Sequence, residues 1–164
     1  MTTATAATPE NTLYLDLKDG RVTIEMYPEQ APNHVARIKE LTREGYYDGK
    51  LFHRVIDGFM AQTGSPEGTG IGGSDKPDLK AEFNNTPHTR GVLSMARTGD
   101  PNSANAQFFI MLAPATHLDG QYTAWGQVID GMEHVDSIQK GNSYDNGSVD
   151  NPDSIIKMTI AADE

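Results

Sequence analysis

The sequence predicts a mainly β domain, one antiparallel sheet closed into a barrel and capped by two α-helices. Three observations carry that expectation. Most patterned segments alternate apolar and polar residues, only two repeat at helical spacing, and no strand–helix–strand repetition occurs. Closing the sheet would hide both helix faces and remove exposed strand edges.

Residues 1–10, rich in Thr and Ala, read as a flexible tail, and a single domain is expected over residues 11–162. In TLYLDLKDGRVTIEMY, Leu13, Leu15 and Leu17 alternate toward a D-G turn, and Val22, Ile24 and Met26 alternate away from it. That is a hairpin pattern. APNHVARIKELTREG starts with Pro32 in its first turn, spaces Val35, Ile38 and Leu41 by three, and stops at Gly45, which predicts an amphipathic helix. LFHRVIDGFMAQT, residues 51–63, is a second hairpin around Asp57-Gly58. From Gly64 to Pro87 the chain is glycine-rich and polar, interrupted by Leu79 and Phe83, and reads mostly as loop. GVLSMA (91–96), AQFFIML (106–112), YTAWGQV (122–128) and IIKMTI (155–160) are strand-like. GMEHVDSIQKG places Met132, Val135 and Ile138 on one face of a short second helix closed by Gly141.

Composition narrows the function. The chain has 164 residues, enough for one domain with a real core, and a formal net charge of −10. Such a surface repels phosphate backbones, and without a basic run neither nucleic acid nor anionic membrane is an expected partner. There is no cysteine, so disulfide scaffolding, Cys-based metal sites and thiol catalysis are excluded together. MTTATAATPE lacks the basic and apolar regions of a secretory signal, and no segment nears the ~20 apolar residues that span a bilayer. A cytoplasmic monomer is expected.

GTGIGG (68–73) matches the dinucleotide fingerprint in letters, but Ser65-Pro66 precedes it and SDKPD follows, where a phosphate cradle needs a strand and a helix. It reads as a surface loop. The histidines, His34, His53, His88, His117 and His134, are dispersed, so no metal site is predicted, and no G-x-S-x-G elbow occurs. His53, beside Arg54, reads as a structural hydrogen-bonding group rather than a general base.

Arg54 and Gln62 are unexpected in a hydrophobic hairpin. Strict alternation puts Arg54 on the face of Phe52 and Ile56. A two-residue Asp57-Gly58 turn would pair Arg54 with Ala61 and send Gln62 to the other side. A three-residue turn over Asp57, Gly58 and Phe59 would set Arg54 opposite Gln62. The sequence leaves both turns open.

FHRVIDGFMAQTG, SMARTGDPNSANAQFFIML and HLDGQYTAWGQV, in this order and spacing, resemble the cyclophilin-type peptidyl-prolyl cis–trans isomerases in their short bacterial form. The resemblance runs from about Leu13 to Ile160. It implies an eight-stranded antiparallel closed β-barrel capped by two helices, an enzyme that isomerises X-Pro bonds of peptides and unfolded proteins, and no cofactor. Carried over by position, the catalytic arginine falls on Arg54 and its partner on Gln62. The proline pocket falls on Phe59, Met60, Phe109 and Leu118, with Phe108 left to the core. Gln107 matches the groove glutamine, and Ala96, Arg97 and Thr98 match the edge along which substrate backbone lies. His117 stands where many eukaryotic members carry a tryptophan important for cyclosporin, and Tyr122 where they carry a histidine at the pocket rim. Weak cyclosporin binding is therefore expected. A non-catalytic peptide-binding domain on the same fold is the rival reading, and loss of the arginine would be its mark.

Overall fold

The computed structural model describes residues 8–164. Of the expected tail, residues 1–7 lie outside the described residues, and Pro9–Asn11 form a 3-10 turn whose Glu10 pairs with Lys39 and Arg43.

The first hairpin folds as its alternation dictates. Strands β1 (Thr12–Leu17) and β2 (Gly20–Met26) pair in register from Thr12–Glu25 to Leu17–Gly20, burying Leu13, Leu15, Leu17, Val22, Ile24 and Met26. Helix α1 (Pro32–Arg43) turns Val35, Ile38 and Leu41 inward. Ala31 cannot cap it. Glu82, from the long loop, accepts the backbone N–H groups of Asn33 and His34 instead, at 3.0 and 2.9 Å. A carboxylate there satisfies orphan donors and complements the helix dipole.

The remaining strands are β3 (Arg54–Ile56), β4 (Met60–Thr63), β5 (Val92–Met95), β6 (Phe108–Met111), β7 (Ala124–Asp130) and β8 (Lys157–Ile160). They form one eight-stranded antiparallel sheet in the order β3-β4-β6-β5-β7-β2-β1-β8. The expected closure is not complete. The terminal strands β3 and β8 do not pair with each other. The irregular segments before them bridge the seam instead, with Gly49 N–H to Ile155 O at 2.7 Å and Phe52 N–H to Asp153 O at 2.8 Å. The outer edge of β3 is bonded to residues 141–149 instead, with Val55 N–H to Gly147 O at 2.8 Å and Val149 N–H to His53 O at 3.2 Å, so the sheet curls almost into a barrel without becoming one. Helix α2 (Met132–Asp136) is also shorter than expected, ending before Ile138.

Two apolar clusters result, and β6 divides them. Phe108 enters the main core, edge-on to Trp125 at 5.5 Å and to Tyr47 at 5.4 Å. Its neighbour Phe109 points the other way, into a smaller cluster with Met60, Met111 and Leu118. Successive residues of a strand face opposite sides, so one strand both fills the core and builds the wall of a groove.

Candidate active site

Site geometry begins with the turn between β3 and β4. The observed register is Arg54–Gln62, Val55–Ala61 and Ile56–Met60, leaving Asp57, Gly58 and Phe59 as a three-residue loop. Phe59 N–H closes the turn on Ile56 O at 3.0 Å, and Gly58 takes φ 74°, a left-handed value that glycine adopts without steric cost. Arg54 and Gln62 therefore stand side by side. Strict alternation fails before the strand begins: Phe52 is buried in the main core with Val55, whereas Ile56 packs on the groove-side cluster near Arg54. Phe52 donates across the seam rather than into the β3 ladder, so it escapes the strand's phase.

The guanidinium is held on three sides. Nη1 donates to Gln62 Oε1 at 3.1 Å, Nε to Asn146 O at 3.0 Å, and Nη2 to Asn146 Oδ1 at 3.0 Å. Gln62 Nε2 donates in turn to Gln107 Oε1 at 3.0 Å, and Gln107 Nε2 to the carbonyls of Gly70 and Gly72 at 3.0 and 2.9 Å. A chain of amides thus runs from the arginine to the glycine-rich loop. Partial burial lowers the pKa of Arg54 from its usual value, opposed by Tyr122. Burial also lowers that of His53, with the Arg54 charge adding to it and the Leu51 backbone opposing.

Across from the arginine lies an apolar wall. Met60, Phe109 and Leu118 are buried, Phe109 meets Tyr122 edge-on at 5.7 Å, and Phe59 lies 6.0 Å from His117. Behind Phe109, His88 stacks at 6.3 Å and is itself bonded to Asp119 and to Ser94, both at 3.0 Å. Arg97 donates to Gln121 O at 2.8 Å and lies 4.5 Å over the Tyr122 ring.

These side chains surround an open groove of about 920 Å³, which brings together Arg54, Phe59, Met60, Gln62, Ala96, Arg97, Phe109, His117, Leu118 and Tyr122. Gln107 and Thr98 line a neighbouring hollow of about 710 Å³ that shares Gln62, Ala96 and Arg97 with the first. The expected edge is only partly open to a peptide, since Ala96 N–H is taken by Gln107 O and Thr98 N–H by Ser103 Oγ. GTGIGG is a loop, as expected, with Gly70 and Ile71 on the groove rim.

Sequence reasoning missed Asn146, Gln121 and the His88–Asp119 pair. Asn146-Gly147 is a legible turn signal, but nothing local says that the turn lies on an arginine 92 positions earlier.

The arrangement offers a fixed cation facing a concave apolar wall, suited to binding a ring and stabilising charge beside it. Residues 12–160 match the family described as "Cyclophilin type peptidyl-prolyl cis-trans isomerase/CLD". A probable peptidyl-prolyl cis-trans isomerase of Brucella suis is 55% identical over 98% of this chain and 88% of its own length. Peptidyl-prolyl cis-trans isomerase B of Bacillus subtilis is 44% identical over 79% of this chain and 91% of its own length. Among solved structures, a cyclophilin from Hirschia baltica superposes with TM-score 0.86 at 30% identity, covering 96% of this chain and 76% of that one. A Cryptosporidium parvum cyclophilin type isomerase, crystallised in the presence of the dipeptide Ala-Pro, gives 0.83 at 28% identity, covering 91% and 98%. A match over nearly the whole chain, on a fold that sets an arginine against an apolar wall, places this protein in the cyclophilin-type peptidyl-prolyl cis–trans isomerases.

Proposed function

We propose that residues 11–162 act as one isomerase domain in which Arg54 is the catalytic electrophile, Gln62 its catalytic partner, and Phe59, Met60, Phe109 and Leu118 the proline pocket. X-Pro rotation is slow because amide resonance raises a barrier of roughly 18–20 kcal/mol. In the twisted state the nitrogen recovers a lone pair, and a guanidinium aimed at it stabilises that state and not the planar one. The apolar wall immobilises the ring and keeps water from weakening the contact. Raising a rate of ~10⁻² s⁻¹ to ~10–10³ s⁻¹ requires about 4–7 kcal/mol, within reach of one aimed charge in a preorganised groove.

Ala96, Arg97, Thr98 and Gln107 carry the peptide beyond the proline, and His117 and Tyr122 form the rim. Proline-containing peptides and flexible protein segments are the substrates, and the protein assists folding as a cytoplasmic monomer. Among the described residues no helix is long and apolar enough to cross a membrane. Cyclosporin binds weakly, because the His117 ring offers less apolar surface than an indole.

The observation that carries the mechanism is the three-residue turn, which puts Arg54 beside Gln62 and opposite the wall. Exchange NMR on a short proline peptide tests it. Arg54→Ala lowers kcat/KM at least about tenfold while the fold survives, and Arg54→Lys is also costly because a point ammonium lacks the guanidinium fork. An alanine variant as active as the parent refutes the assignment.

A further inference from the structure

We infer that Asn146 is a positioning residue for the isomerase reaction, holding the Arg54 guanidinium through neutral acceptors alone so that its aim is fixed and its charge left whole. The inference rests on the arginine mechanism proposed above and extends it to a residue outside the hairpin.

Two features of the turn carry it. Asn146 has φ 55° and ψ 30°, and it is the one non-glycine residue with positive φ among the described residues. Asn tolerates this conformation better than most side chains. From it, one residue presents both its backbone oxygen and its side-chain oxygen to the same guanidinium, at 3.0 Å each. The turn is itself moored to β3, since Val55 N–H donates to Gly147 O and Gly141 N–H to Val55 O, each at 2.8 Å. The Asn146 oxygens are thus tied to the strand that carries Arg54.

The chemistry of the acceptors is the second feature. Arg21, Arg43 and Arg90 are each paired with carboxylates, Asp16, Asp163 and Asp136, whereas the two groove arginines are not, and Arg97 donates only to the carbonyls of Gln121 and Thr98. Arg54 bonds only to amide oxygens, from Gln62 and Asn146. Asp145, one residue away, lines the same groove, yet the asparagine rather than the aspartate meets the cation. A carboxylate would fix the guanidinium equally well. It would also cancel the field that a developing lone pair is meant to feel.

Two substitutions separate aim from charge. Asn146→Gly accepts the positive φ, keeps the backbone acceptor and deletes the side-chain one. Asn146→Asp keeps the shape and both acceptors and adds a negative charge. Each is made in the parent and in Arg54→Ala, and kcat and KM are measured by exchange NMR on a short proline peptide. Rotation of the Arg54 Cζ–Nη bonds is followed by side-chain nitrogen NMR in the arginine-bearing forms. Asn146→Gly is expected to lower kcat about three- to tenfold with little change in KM and to speed guanidinium rotation. Asn146→Asp is expected to keep rotation slow yet lower kcat about tenfold or more. In Arg54→Ala both substitutions should change kcat/KM by less than about twofold, because neither residue then has a guanidinium to act on. Equal losses with and without Arg54, or rotation in Asn146→Gly as slow as in the parent, overturn the positioning role. Full activity of Asn146→Asp overturns the charge argument. Full activity of Arg54→Ala alone removes the arginine mechanism, and the rotation measurement still decides whether Asn146 holds the side chain.

Discussion

Gln107 joins the arginine to the loop that rims the groove, and replacing it by leucine breaks that link without opening a cavity. The glutamine is 9% exposed and makes three hydrogen bonds, one accepted from Gln62 and two donated to Gly70 and Gly72. A hydrogen bond of this kind contributes about 0.5–1.5 kcal/mol net, and a partner stranded away from water costs more. Gly70 and Gly72 are exposed, so their carbonyls find water again, and Gln62 faces an open groove. The expected loss therefore lies toward the lower end, about 2 kcal/mol, or roughly 4–8 °C in Tm for a domain of this size. Because Gln62 loses its anchor, the aim of Arg54 loosens, and kcat/KM should fall about three- to tenfold. Gln107→Glu separates the two connections: it still accepts from Gln62 but turns a carboxylate oxygen toward the two glycine carbonyls. It should free the loop more than it harms catalysis. Thermal unfolding, hydrogen exchange over residues 68–73 and exchange NMR on a proline peptide are the assays. A leucine variant with unchanged Tm, unchanged loop protection and parental turnover would show that the amide chain transmits nothing.

Activity should be nearly flat from about pH 6 to 9, since arginine stays charged and His53, with its pKa lowered by burial, stays largely neutral over most of that range; a steep acid limb that vanishes in His53→Gln would place an imidazole in the rate-limiting step. Stability behaves differently. Burial lowers the pKa of His34, His53 and His88, so as pH falls below about 6.5 the unfolded chain takes up protons that the folded one refuses, and Tm should drop between pH 6.5 and 5.5 after a plateau above. A Tm that holds or rises over that interval contradicts the assignment. His117→Trp should strengthen cyclosporin binding with little change in turnover, as titration of both forms would show; nanomolar affinity in the unmodified protein would mean that another contact compensates.

The parts of the fold legible in the sequence are those whose cause is local. β1 and β2 show their buried faces residue by residue, and Pro32 and Gly45 bracket α1. The hairpin was legible as a hairpin, but its register depends on one glycine torsion, and both turns satisfied the letters Asp57-Gly58. Phe52 defeated the alternation because its backbone bonds to Asp153, about a hundred positions away. The incomplete closure was hidden for the same reason, since it concerns two chain segments far apart in sequence. Of the site, the pocket and arginine positions followed from the family resemblance, and the structure collects most of them around one groove. Asn146 was illegible because its role is a relation between a turn and a distant strand, which no spacing encodes.

Trp125, the chain's one tryptophan, is fully shielded beneath β6, against Phe108 and on the far side of the strand from Phe109. Its indole therefore senses only the interior. Emission from this protein should lie at the blue end of the tryptophan range and report the integrity of the core, while a peptide settling against Phe109 leaves it dark to the event. A fluorophore that reads groove occupancy has to be added, and position 117, on the rim beside Phe59, is the natural place for it.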